Sequence, residues 1–83
     1  MPHKVTIYSK SNCHLCEIAE ERILNVRKRI AFEIEKINIE ESENLMQRYG
    51  EQIPVVCIDG EEVFVYRVSE KLLEKRLREL QYR

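Results

Sequence analysis

The chain has little of what loosens or punctuates a backbone: two glycines and two prolines in 83 residues. That scarcity excludes a disordered, Pro- or Gly-rich segment. Cysteine is scarce too. Three cysteines are too few, and odd in number, for a disulfide-stapled secreted scaffold. An excess of charge of either sign is also lacking. Fourteen basic residues against fifteen acidic ones leave a formal net charge of -1, which offers no electrostatic footprint for nucleic acid or an anionic membrane surface. No stretch approaches the ~18 apolar residues of a membrane span, and the opening MPHKVTIYSK is too short and too polar for a secretory leader. These lacks point to a cytoplasmic protein.

What is present is a chain with 43% hydrophobic and 35% charged residues, the composition of a compact folded domain. Its length predicts a single domain over residues 1–83. Lys4 to Tyr8 is β-branched and aromatic and reads as a short strand. From His14 to Ile30, Leu15, Ile18, Ala19, Ile23, Val26 and Ile30 recur at spacings of three and four, the apolar stripe of an amphipathic helix. Ala31 to Ile39 alternates as a strand until the phase slips at Lys36–Ile37, where the strand is expected to end or bulge. Ser42 to Tyr49 reads as a short helix with Leu45, Met46 and Tyr49 inside and Gly50 as its stop. Ile53 to Ile58 is an unbroken apolar run suited to a central strand. Asp59–Gly60 then signals a tight hairpin, because such a turn needs positive φ. EEVFVY returns as the next strand, and Ser69 caps a last helix striped by Leu72, Leu73, Leu77 and Leu80. The order β-α-β-α-β-β-α implies parallel strands with crossover helices first, then an antiparallel hairpin.

Chemistry concentrates where the first strand gives way to the first helix, in YSKSNCHLC. Cys13 stands at or just before the first helical residue, where backbone N–H groups lack partners and the helix dipole is positive. Both effects favour a thiolate, and Lys10 and His14 add positive charge nearby. Cys16 lies one turn on, beside the stripe at Ala19 and Ile23, so it is expected to be the more buried thiol. An exposed attacking thiol backed by a shielded one is what thiol–disulfide exchange requires. The rival uses are half of a zinc site, for which about four ligands are needed, or two ordinary core residues. Cys57, His3 and His14 are the remaining metal candidates, and they show no second paired spacing. A Cys-x-x-Cys beside a βαβ pattern therefore reads as a redox pair, with no metal site. Cys57 reads as a small buried hydrophobe, Tyr49 and Tyr66 as core edges, and His3 and the charged run EIEKINIEESEN as solvated surface.

YSKSNCHLC resembles the YSKxxCPYC segment of glutaredoxins, and QIPVVCIDGEEV resembles the stretch around the cis-proline of thioredoxin-fold proteins. The resemblance covers nearly the whole chain, its length and its element order. It implies an α/β fold: a four-stranded mixed sheet with helices on both faces. It implies a thiol–disulfide oxidoreductase in which Cys13 is the nucleophile and Cys16 the resolving thiol. Pro54 is implied to be cis, with the Ile53 backbone open to an extended substrate, and Lys10 is implied to bind substrate. His14, Arg67 and Ser69 are further substrate-binding candidates. No tightly bound cofactor is implied. The expected partners are a disulfide-bearing protein or a low-molecular-weight thiol, with glutathione or another thiol reductant and a reductase system. A monomer is expected.

Two departures from that family pattern bear on specificity. CHLC stands where CPYC is usual, and VYRVSEK stands where a Gly-Gly pair and an Asp follow the last strand. Tyr66–Arg67 cannot let a backbone approach a tripeptide as two glycines do. The departure predicts weak glutathione-coupled activity and better reduction by a dithiol or thioredoxin-reductase-type system. Two other uses of the same motif are a metal carrier and a thioredoxin-fold binding module with little turnover. Copper chaperones share the motif's placement but end on a strand, whereas this chain ends on a helical stripe.

Overall fold

A computed structural model of the chain describes residues 3–81. The element order is the expected one: β1 (Lys4–Ser9), α1 (His14–Arg27), β2 (Glu33–Asn38), a 3-10 turn (Ile39–Glu41), α2 (Glu43–Tyr49), β3 (Val55–Ile58), β4 (Glu61–Val65) and α3 (Glu70–Gln81). The strands form one four-stranded sheet in the order β2-β1-β3-β4. β1 and β2 run parallel, joined over α1, with Lys4 opposite Glu33 and Ser9 opposite Asn38. β3 is antiparallel to both β1 and β4. Among the described residues no helix is long and apolar enough to cross a membrane.

Strand alternation divides the core in two. Val5, Ile7, Val56 and Ile58 face α1 and α3, packing with Ala19, Ile23, Val26, Leu73 and Leu77. Val55 and Cys57 face the other side with Ile39 and Tyr49, and Tyr8 and Leu45 close that smaller cluster. The ring of Tyr8 stacks on that of Tyr49 at 4.6 Å. Helices therefore cover both faces, α1 and α3 on one and α2 on the other. The β3–β4 register shifts between Val56 and Cys57, and consecutive Val63 and Phe64 both pack on the α1–α3 cluster. Strict alternation would send one of them to the other face; the bulge keeps both inside.

The turns follow their residues. Asp59 and Gly60 both have positive φ, 50° and 87°, as a two-residue hairpin of this hand requires. Asp59 also accepts the Lys4 N–H at 2.9 Å and pairs with His3, tying the hairpin to the start of β1. Ser42 and Ser69 cap α2 and α3 by accepting the Leu45 and Leu72 N–H groups.

Four local expectations are corrected. β2 neither ends nor bulges at Lys36–Ile37 but pairs in unbroken register to Asn38. Lys36 lies on the α1 side of this edge strand, where its ammonium reaches Glu20 of α1 at 2.9 Å, so the apolar phase slips without cost to the ladder. α1 stops at Arg27, and Ile30 reaches the core from the turn beyond it. Met46 and Leu72, read as interior, are exposed, because α2 and α3 each bury a narrower stripe. Leu15 is 41% exposed as well.

Candidate active site

Cys13 is the N-cap of α1, with extended φ and ψ of -104° and 107°. Its carbonyl accepts the Glu17 N–H at 3.1 Å, and its Sγ accepts the Cys16 N–H at 3.2 Å. A sulfur at this place meets one of the helix's otherwise orphan donors and the positive end of its dipole, the setting that favours a thiolate. Cys13 and Cys16 are joined as a disulfide with Cα atoms 5.2 Å apart. Cys13 is half-buried and Cys16 is 4% exposed. One sulfur of the pair is thus open to an incoming reactant while the other backs onto Ala19 and Ile23. Cys57 stays free and buried within β3, and burial pushes its thiol pKa up.

Two further segments lie at the same end of the sheet as this turn. Tyr8 pairs with Val55, which places Pro54 level with the end of β1. The Ile53–Pro54 peptide bond is cis, and Ile53 is half-buried. The Pro54 carbonyl accepts the Tyr66 N–H at 2.9 Å, which brings the loop after β4 against the proline. Between that loop and α1 lies a cavity of about 250 Å³ lined by Leu15, Ile18, Arg22, Tyr66 and Arg67 among others. Leu15 faces this groove rather than the core, which explains its exposure.

Lys10, expected to meet substrate, donates its ammonium to the Gly50 carbonyl at 2.6 Å. It joins the Cys13 turn to the segment leading into Ile53–Pro54. Arg67 is exposed beside the groove. Ser69 is engaged as the α3 cap. His14 points to solvent, with Nδ1 3.9 Å from Glu17. Lys10, Ile53, Pro54 and Arg67 therefore gather around the cysteine turn or the groove. His14 sits in the turn without facing either, and Ser69 serves the helix.

Three residues with no expected role at the site hold this end together, Asn38 and Glu40 among them from the run expected to be solvated surface. Arg22 donates to the Val68 carbonyl at 2.8 Å and pins the post-β4 loop to α1. Glu40 accepts the Ser11 N–H at 2.8 Å, and Asn38 donates to the Ser11 hydroxyl at 3.3 Å. The Ser11 hydrogen bonds hold the Glu40 carboxyl below the usual carboxylate range. Tyr66 has a left-handed backbone, φ 69°, an unusual state for a bulky residue. Its hydroxyl donates to the Glu51 carbonyl at 3.4 Å. No sequence signal marked Arg22, Glu40 or Asn38, since each acts across many residues. Among the described residues, no group of three or more His, Cys, Asp or Glu side chains is gathered in metal-binding range.

Comparison with known proteins agrees with this geometry. Protein Ne2328 from Nitrosomonas europaea is 29% identical, with 93% of each chain covered and a TM-score of 0.81. Protein XcR50 from X. campestris is 26% identical over 90% of this chain and 96% of its own, with a TM-score of 0.76. A thioredoxin from Halobacterium salinarum shares the fold at 21% identity, covering 93% of this chain and 73% of its own, with a TM-score of 0.65. The family profile described as Glutaredoxin-like domain (DUF836) matches residues 4–78. A thioredoxin fold, a Cys-x-x-Cys pair at the first helix and a match over nearly the whole length converge: the chain belongs to the glutaredoxin-like domain family.

Proposed function

We propose that this protein is a cytoplasmic, monomeric thiol–disulfide oxidoreductase that reduces disulfides through the Cys13/Cys16 pair. The observation that carries the reading is the pair itself: a disulfide whose accessible sulfur caps a helix and accepts a backbone N–H, backed by a buried sulfur. In the reduced protein the Cys13 thiolate attacks one sulfur of a substrate disulfide. A new S–S bond forms to Cys13, the substrate S–S bond breaks, and the departing thiolate takes up a proton. Cys16 then gives up its proton and attacks the Cys13 sulfur. The Cys13–Cys16 disulfide closes and the second substrate thiolate leaves. Two electrons pass from the dithiol to the substrate, and an external dithiol returns them by the reverse exchange. No tightly bound cofactor is needed.

The groove favours a protein disulfide over glutathione as substrate. Ile53 offers its backbone beside the cis-proline to an extended chain, while Tyr66 occupies the far wall and Lys10 is already engaged by Gly50. Arg67 is an exposed cation beside the groove that a substrate carboxylate can reach, and an exposed contact of that kind contributes only about 0–1 kcal/mol.

The test is a pair of variants mixed with a mixed-disulfide substrate and followed by intact mass. Cys16→Ser accumulates a covalent adduct on Cys13, and Cys13→Ser forms none. The reverse pattern exchanges the two roles. Adducts in neither variant, with no reduction by the native chain, leave a binding module rather than an enzyme.

A further inference from the structure

Only Lys10, Ser11 and Asn12 separate the end of β1 from Cys13, and this connection has no glycine. Asn12 turns it with a left-handed backbone, φ 56°, a state Asn adopts more readily than most residues. Such a turn holds one geometry only if its flanks are fixed. Ser11 is fixed twice from outside the loop, by the Glu40 carboxylate on its N–H and by Asn38 on its hydroxyl. The two struts also brace each other, since the Glu40 N–H donates to Asn38 Oδ1 at 2.9 Å. Asn38 is the last residue of β2 and Glu40 lies in the 3-10 turn after it. The braced edge strand thus reaches across to the loop that presents the cysteine.

We propose that Glu40 is a positioning residue for the redox centre: its carboxylate fixes the Ser11–Asn12 turn and so keeps Cys13 at the N-cap of α1. The inference rests on Cys13 as the attacking thiol. A hydrogen bond to a carboxylate is shorter and stronger than a neutral one, which suits a strut anchored on an otherwise exposed side chain. With the strut gone, Cys13 leaves the cap and its thiolate loses the Cys16 N–H. Simple electrostatics demands the opposite sign, because deleting a negative charge near a thiolate stabilises it. Lys10, whose charge also acts on Glu40, and His14 and Glu17 at the start of α1 flank the turn, and none of them is altered in the test.

The experiment follows the pH dependence of Cys13 alkylation by iodoacetamide in the full chain carrying Cys16→Ser, where the other thiol, Cys57, is buried. Glu40→Ala and Asn38→Ala are expected to move the midpoint of the pH–rate profile upward. Alkylation at neutral pH then slows about fivefold, the factor a single net hydrogen bond is worth. Glu40→Gln keeps an acceptor for Ser11 and leaves the midpoint unmoved or lower. Glu40 is exposed and packs in neither core cluster, so its variants fold. The proposal is overturned if Glu40→Ala leaves or lowers the midpoint, if Glu40→Gln raises it as far as alanine does, or if Asn38→Ala has no effect. A Cys13 that alkylates no faster than free cysteine before any strut is removed overturns the reading of Cys13 and this inference together. A fast Cys13 indifferent to Glu40→Ala overturns the inference alone.

Discussion

Tyr66 offers a test in which backbone and groove give separate signals. Its φ of 69° places a bulky side chain where an L-residue is disfavoured by roughly 1–2 kcal/mol. The side chain is 46% exposed, so its contacts amount to about half of a tyrosine's area. At about 25 cal/mol per Å² over roughly 100 Å², that half contributes about 2.5 kcal/mol. Tyr66→Ala removes the contacts and keeps the disfavoured backbone, so it destabilises by about that amount. Tyr66→Gly removes the same contacts and relieves the backbone. Glycine in a regular element is worse than alanine by roughly 0.5–1 kcal/mol; at position 66 the order inverts, with glycine ahead by about 1 kcal/mol. In a domain of this size that is a difference of about 4–8 °C in Tm. Thermal melts of the oxidised proteins read it directly. Both variants also clear the wall of the groove opposite Leu15, so turnover of a glutathione mixed disulfide rises above the native level, more for glycine than for alanine. Alanine melting at or above glycine refutes the backbone argument. Unchanged glutathione turnover in both refutes the reading of Tyr66 as the wall that limits the groove.

Other consequences are open to simpler measurements. Ile23→Ala cuts into the cluster shared by β1, α1 and α3, where Ile23 is 1% exposed, and is expected to cost about 2–5 kcal/mol in urea denaturation; a loss well below that range means the cluster is not the principal core. The Asp59 carboxyl is held below its ordinary range first by the Lys4 N–H and then by His3. Its lowered folded pKa means that its contribution is present above the unfolded value and is lost as pH falls through the folded one. Asp59→Asn keeps the left-handed turn and an acceptor, so the stability gap to the native chain is widest near neutrality and closes on acidification. The site is exposed, and the gap stays under about 1 kcal/mol and shrinks with salt; a gap that widens in acid refutes the assignment.

Most of the fold was legible because it rests on short-range pattern. The stripe from Ala19 through Val26, the apolar run Val55–Ile58, the Asp59–Gly60 turn and the Ser69 cap each announce themselves within a few residues. The misreadings share a cause, which is that periodicity says which residues share a face and not what lies opposite that face. Leu15 continues the α1 stripe, yet the loop carrying Tyr66 and Arg67 stands across from it rather than the sheet. Lys36 interrupts the alternation of β2, yet Glu20 waits beside it on α1. The 3-10 turn at Ile39–Glu41 gave no signal of its own, and it carries the carboxylate that reaches Ser11.

The candidate site divides along the same line. Cys13 and Cys16 were legible because their spacing is local and the helix start that shapes their chemistry is local too. The setting around them was not, because it consists of single hydrogen bonds between residues far apart in the chain: Lys10 to Gly50, Ser11 to Glu40, Arg22 to Val68 and Tyr66 to Pro54. Each contributes on the order of 1 kcal/mol, too little to dictate a sequence pattern. Together they decide how a three-residue loop, a proline segment and a post-strand loop are held against one another. Lys10 illustrates the consequence. Its place before the cysteines suggests a cation waiting for substrate, while its ammonium lies on the Gly50 carbonyl. A substrate carboxylate must outbid that carbonyl to recruit it. An extended protein segment that pairs with the Ile53 backbone makes no such demand, and this difference is the physical ground for favouring protein disulfides over small acidic thiols.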